Sequence, residues 1–218
     1  DEKNPHEMPE FVEQAKLFNV LRETDRFCRL HKVHNVGMLN RMIRSGQAGE
    51  LIRVSEGLHE KQLIGIADRI AAEKERIRLI MISGPSSSGK TTFAKRLSVQ
   101  LKVNGISPVS ISLDDYFVNR TDTPLDEDGK PDYESLDAID VEMFNRDLAA
   151  LLQGDPVELP VFDFRDGVRR PSGKITQISE DQPIVIEGIH GLNDRLTAGI
   201  PRTRKFYIYI SALTQLNL

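Results

Sequence analysis

The residue types best suited to chemistry are gathered in one short run. Gly84-Pro85-Ser86-Ser87-Ser88-Gly89-Lys90-Thr91 satisfies G-x-x-x-x-G-K-[ST] at every fixed position. That spacing lets a loop curl until successive backbone N–H groups face inward on phosphate oxygens. A helix starting near Lys90 adds its free N-terminal N–H groups and the positive end of its dipole. Lys90 brings a mobile charge for the outer phosphates, and the Thr91 hydroxyl is placed to ligate Mg²⁺. The predicted phosphate contacts are therefore Gly84, Ser86, Ser87, Ser88, Gly89, Lys90, Thr91 and Thr92. The bland alternative is a Gly/Ser turn between a strand and a helix. Guanine readers carry N-K-x-D after a later strand; the nearest string, Asn119-Arg120-Thr121-Asp122, lacks the lysine. ATP is the expected nucleotide.

Carboxylates form the second group. Asp114 and Asp115 follow one apolar run and Glu187 ends another. At strand ends beside a phosphate loop, one carboxylate can hold Mg²⁺ and another can take the proton from an attacking hydroxyl. Acidic residues at such ends also occur in ordinary solvated turns.

These groups need a frame, and the hydrophobic pattern supplies one. Short apolar runs at Leu79–Ile82, Val109–Leu113, Ile184–Ile186 and Phe206–Ile210 read as core strands. Phe93, Ala94, Leu97 and Leu101 mark a helix closed by Asn104-Gly105. Asp140 is the expected N-cap of a helix bearing Val141, Phe144, Leu148 and Leu152 and ending at Gly154. Segments 157–164 and 174–178 suggest a short hairpin or a pair of extended segments. Alternating strands and helices predict an α/β fold of P-loop NTPase type, a doubly wound parallel sheet with ligands at the carboxyl ends of its strands. Residues 1–75 predict no strand; helices are expected at about 11–31, ending before a turn around Gly37, and at about 50–76. The reading is a helical appendage over 1–75 and a kinase-type domain over 76–218.

Five segments occur in order: GPSSSGKTTF (84–93), SLDDYF (112–117), YESLDAID (133–140), LPVFDF (159–164) and IVIEGIHGL (184–192). Together they resemble the uridine kinase branch of the phosphoribulokinase/uridine kinase family over roughly residues 78–212. The resemblance implies ATP- and Mg²⁺-dependent phosphorylation of a nucleoside 5′-hydroxyl, most simply of uridine or cytidine. By it, Asp114 is the catalytic base, acting with Lys90, and Thr91, Glu187 and Asp114 lie at the metal. Glu134 falls where the family has an aspartate for the ribose hydroxyls, beside Tyr133, and Phe162 and Phe164 match aromatics of the base pocket. Two departures stand out. Glu replaces Asp at position 134, and Arg165-Asp166-Gly167-Val168-Arg169 lacks the histidine that reads the pyrimidine. The family's arginine-rich lid would follow the fourth core strand, near where this chain stops, so a truncated piece is expected. Other small alcohols, such as a sugar phosphate or pantothenate, and a non-catalytic nucleotide-binding regulatory module stay open.

The first 75 residues resemble, more loosely, the accessory region of bacterial nucleoside kinases related to threonyl-tRNA synthetases, through Phe11-Val12-Glu13-Gln14 and Gly57-Leu58-His59-Glu60-Lys61. Cys28, His31 and His34 invite a zinc reading, but their spacing spreads them too widely for one helical face, and a solvated helix end is preferred. His190 could touch phosphate or substrate, or simply be packed. Hydrophobic residues make up 39% and charged residues 28%, with a net charge of −4. That balance points away from nucleic acid and anionic membranes as partners. A lone cysteine excludes an internal disulfide, and no run is long enough to span a membrane. A cytoplasmic protein with a small-molecule nucleoside partner is expected, and a homo-oligomer is left open.

Overall fold

The computed structural model describes residues 15–211, which fall into two compact units divided between His59 and Glu60. In the first, α1 (Ala15–Leu30) and α2 (Val36–Arg44) precede the start of α3 (Ala48–Ala72). The expected beginning of the first helix, and residues 11–14, lie outside the described residues. The turn expected around Gly37 is instead the first turn of α2. Asn35 caps it, its side-chain oxygen accepting the Met38 N–H at 2.8 Å, and a satisfied cap outweighs one glycine.

The second unit holds the remaining elements. They are β1 (Leu79–Ser83), α4 (Lys90–Val103), β2 (Val109–Ser112), α5 (Val141–Gln153), β3 (Val157–Asp163), β4 (Val168–Thr176), β5 (Ile184–Glu187) and β6 (Lys205–Tyr209). Strands β2, β5, β1 and β6 pair in that order, all parallel. Every residue of β1 and β5 is buried, as expected of central strands covered on both faces.

Alternation along β1 separates two cores. Ile80 and Ile82 pack with Phe93, Leu97 and Leu101 of α4 and with Leu63, Ala67 and Ile70 of α3. Leu79 and Met81 pack with Phe144, Leu148 and Leu151 of α5 on the other face. Leu97 and Leu101 are fully buried one turn apart, and each truncation to alanine would cost about 2–5 kcal/mol. The compact-unit division falls inside α3, between His59 and Glu60, upstream of the change in sequence character at 75/76. The apolar residues that read as an appendage helix belong to the core beneath β1.

The hairpin arms β3 and β4 are antiparallel, with the second arm at Val168–Thr176 rather than at the expected 174–178. The turn comes early because Asp163 Oδ1 accepts the N–H groups of Arg165 and Asp166, at 3.0 and 3.1 Å, and Gly167 adopts φ +71°. The order in β2-β5-β1-β6 makes the chain leave β1 toward one side and return to its other side. That switch point opens a crevice at the carboxyl ends of the strands.

Candidate active site

The phosphate loop joins the end of β1 to the start of α4. The Ser83 hydroxyl donates to the Ile189 carbonyl at 2.7 Å, tying the loop's root to the segment after β5. Gly84 follows because nothing larger fits: a Cβ there would lie 2.0 Å from the Ile210 carbonyl oxygen. Ser87 and Gly89 both take positive φ, at +59° and +87°, and curl the loop. Gly89 is the N-cap of α4 and offers no side-chain oxygen, so the helix's first N–H groups face the loop without a side-chain cap. Lys90 Nζ donates to the Pro85 carbonyl at 2.9 Å, folding the ammonium over the loop. The Ser88 hydroxyl is buried without a hydrogen-bond partner, an unsatisfied group inside a loop shaped for oxyanions.

Beside the loop lies Glu187, at the end of β5 and only 7% exposed. Its Oε1 accepts from the Thr91 and Ser112 hydroxyls, each at 3.0 Å. These three side chains form an oxygen-only set of one carboxylate and two hydroxyls, which suits a hard divalent cation completed by phosphate and water. Among the described residues no group of three or more His, Cys, Asp and Glu side chains gathers at metal-binding distance, so any cation here would rest on one carboxylate, hydroxyls, phosphate and water.

Asp114 and Asp115 sit in a 3-10 turn, Leu113–Tyr116, immediately after β2. Burial pushes the Asp114 carboxyl above the ordinary range, and the Glu187 charge pushes it further; Lys90 opposes both. Asp115 is also raised by burial, opposed by the Phe162 N–H, which donates to its Oδ1 at 3.2 Å. Adjacent in sequence, the two acids thus part in role. Asp115 holds β3 in place, while Asp114 faces a cleft.

That cleft has a volume of about 440 Å³. Ser86 and Asp114 form its phosphate end, and Tyr133, Glu134, Phe162 and Phe164 form the other. Every residue expected at the acceptor site is therefore brought together with the expected base. Lys90, Thr91 and Glu187 stand outside the cleft lining, on the phosphate-loop side. Phe117, Arg120 and Ile189 complete the lining, and the sequence reading assigned none of them a site role. Phe117 packs edge-on against Tyr133, Phe162 and Phe164 at centroid distances of 6.0, 5.6 and 6.4 Å. Its place at the end of the SLDDYF segment was the available signal. Arg120 lay inside the string compared with N-K-x-D; its Nη2 donates to the Phe164 carbonyl at 2.8 Å, and its backbone N–H to Gly167. His190 is half-buried, with Nε2 buried and unpartnered, and does not line the cleft.

Residues 79–218 match the model of the phosphoribulokinase/uridine kinase family. Among curated proteins, the chain is 32% identical over 116 residues to a uridine kinase of Ligilactobacillus salivarius (strain UCC118), covering 53% of each chain. It is 32% identical over 115 residues to a uridine kinase of Halobacterium salinarum, covering 53% of this chain and 49% of that one. The chain thus spans about half the length of the curated relatives it matches. A solved structure described as a possible uridine kinase from Bacillus stearothermophilus superposes with a TM-score of 0.53 at 23% identity, over 70% of this chain and 83% of that one. That likeness concerns the fold.

Proposed function

The chain belongs to the phosphoribulokinase/uridine kinase family, and from that premise we propose that it transfers the γ-phosphoryl group of ATP to the 5′-hydroxyl of a pyrimidine nucleoside, uridine or cytidine. The observation that carries this reading is the cleft. It runs from Ser86 of the phosphate loop past Asp114 to an aromatic wall beside Glu134. A nucleoside fits that sequence of surfaces: hydroxyl at the carboxylate, ribose at Glu134, base against Phe162, Phe164 and Tyr133.

Each side chain has a defined task. Loop N–H groups and the Ser88 hydroxyl bind phosphate oxygens, and Lys90 exchanges its neutral Pro85 partner for phosphate. Asp114 accepts the proton of the 5′-hydroxyl, and its raised affinity for protons makes it a stronger base than a solvated aspartate. Glu134 accepts hydrogen bonds from ribose hydroxyls and so orients the nucleophile. The aromatic wall excludes water and holds the base, a contribution of about 0.5–1.5 kcal/mol for each well-placed ring pair. Thr91 and Glu187, with Asp114 beside them, would hold Mg²⁺, which would supply charge neutralisation on the phosphates. Most of the rate enhancement is then positioning and electrostatics.

A second reading, phosphorylation of a sugar phosphate, draws support from Arg120, a cation lining the acceptor half of the cleft. A transfer assay with radiolabelled ATP, Mg²⁺ and a panel of nucleosides, sugar phosphates and pantothenate separates the two. Label on uridine or cytidine supports the first reading, and label on a sugar phosphate alone replaces it with the second. ATP binding without transfer to any acceptor would make the domain a nucleotide-binding regulatory module.

A further inference from the structure

The end of the sheet opposite the phosphate loop holds a separate cavity of about 400 Å³. Arg78, the residue before β1, lines it. Parallel register brings Arg204, just before β6, to the same edge: the Arg78 N–H donates to the Arg204 carbonyl, and the Ile184 N–H to the Arg78 carbonyl, both at 2.9 Å. Six residue steps of extended chain lead from Arg78 to Gly84, roughly 20 Å at strand rise. The cavity is therefore distinct from the cleft described above.

Its walls divide by chemistry. Leu152 and Ile200 are apolar; Gln153 and the two arginines are polar. Arg78 is the unusual member. It is 7% exposed, and both Nε and Nη2 are buried with no hydrogen-bond partner. Among the described residues it forms no ion pair. Glu180 and Asp181 act on it only at a distance, while burial and then Arg204 push its proton affinity down. Lys205, next along the same edge, shows the ordinary arrangement: its buried Nζ donates to the Thr197 carbonyl at 2.7 Å. A buried guanidinium with two donors that no protein group uses, next to a second arginine, offers a planar fork of the kind that binds carboxylate or phosphate.

We infer that this cavity binds a small amphiphilic anion, with a carboxylate or phosphate head on Arg78 and Arg204 and an apolar body against Leu152 and Ile200. The volume admits one small organic molecule. The site stands independently of the proposed phosphoryl transfer, because it uses none of the same side chains.

The test reads Arg78 directly. Its Nε–Hε NMR signal, assigned by its loss in Arg78→Lys, is followed while hexanoate, phenyl phosphate or inorganic phosphate is added. The signal should shift saturably with an organic anion and more weakly with inorganic phosphate. A response to phenyl phosphate alone assigns the site to phosphorylated ligands; a response to hexanoate admits carboxylates. Arg78→Met, titrated by calorimetry because the Arg78 signal is then absent, should weaken phenyl phosphate binding at least about tenfold relative to the parent and leave ATP affinity unchanged. Should that variant fail to fold, Arg78→Lys, which keeps the charge but loses the fork, should show the same weakening. An Arg78 signal indifferent to all three probes up to about 10 mM, or equal affinity in the variants, overturns the inference.

Discussion

The Thr91 hydroxyl donates to Glu187 Oε1 at 3.0 Å, joining the first turn of α4 to the end of β5. The same oxygen accepts from Ser112 at the end of β2. Two strands and a helix therefore meet on one buried carboxylate. Glu187→Gln keeps the shape and the hydrogen-bonding oxygen but removes the charge. Phosphoryl transfer should fall by about a hundredfold, with half-saturation by Mg²⁺ displaced upward. A Mg²⁺ titration of the transfer rate checks this, and an unchanged titration would remove Glu187 from the metal site.

Asp114 links activity to pH. Its carboxyl is raised by burial and then by Glu187, so the folded chain holds the proton to higher pH than the unfolded chain does. Transfer needs the ionised form, so the acidic limb of the rate profile should lie above the ordinary aspartate value. Stability has the opposite sense. From the ordinary value up to the raised one the folded state binds more protons, so this group's contribution falls as pH rises through that window. Asp114→Asn should therefore lower kcat by about 10²–10⁴ while keeping ATP affinity. The same variant should melt above the parent protein at neutral pH. Rate profiles, nucleotide titration and thermal melts together test the assignment.

Phe162 and Phe164 share the aromatic wall, their rings 5.1 Å apart, but differ in burial: 6% exposed against 60%. Phe164→Ala should raise the acceptor KM by about tenfold, for a lost contact of roughly 1–1.5 kcal/mol, and leave the melting temperature nearly unchanged. Phe162→Ala should instead cost about 3–5 kcal/mol of stability. Steady-state kinetics beside denaturant unfolding of both variants would show whether the exposed ring serves the ligand.

Asp140 carries two duties. Oδ1 caps α5 by accepting the Met143 N–H at 2.9 Å, and Oδ2 pairs with Arg169 at 2.8 Å, tying β4 to that helix. Asp140→Ala should cost about 1–2 kcal/mol, and Asp140→Asn less, because asparagine keeps the cap and loses only a half-screened ion pair. Equal losses in the two variants would mean that the ion pair, not the cap, is the larger part.

Much of the site was legible in the order of residues, for a local reason. Gly84 to Thr91 form their loop from consecutive backbone groups, so spacing alone encodes the geometry. Apolar runs located the central strands β1 and β5 because strands covered on both faces must be apolar on both, while the edge strands β2 and β6 keep polar or partly exposed positions among their apolar ones. The cap at Asp140 was equally local, as was the left-handed Gly154 that closes α5. The second hairpin arm was misplaced because its position depends on an Asp163 side chain bonding two residues onward, which hydrophobicity does not register. The helix at Gly37 was missed because one cap at Asn35 outweighed the glycine.

Other assignments waited on the three-dimensional arrangement, because they rest on contacts between residues far apart in the chain. Asp114 and Asp115 are equivalent as neighbours in a string. Only the approach of β3, whose Phe162 N–H takes Asp115, leaves Asp114 facing the cleft. Phe117 and Arg120 entered the cleft lining only when β3 and β4 folded against the segment after β2. The amphipathic stripe of α3 announced a buried face, but not that Leu63, Ala67 and Ile70 lie beneath β1. In the string, Arg78 is one cation before an apolar run. Parallel register set it beside Arg204, with donors that no neighbour satisfies. The sequence by itself determined the loop, the strands and the chemistry on offer. Tertiary packing decided which of those groups meet, since burial and charge act between atoms close in space, whatever their separation along the chain.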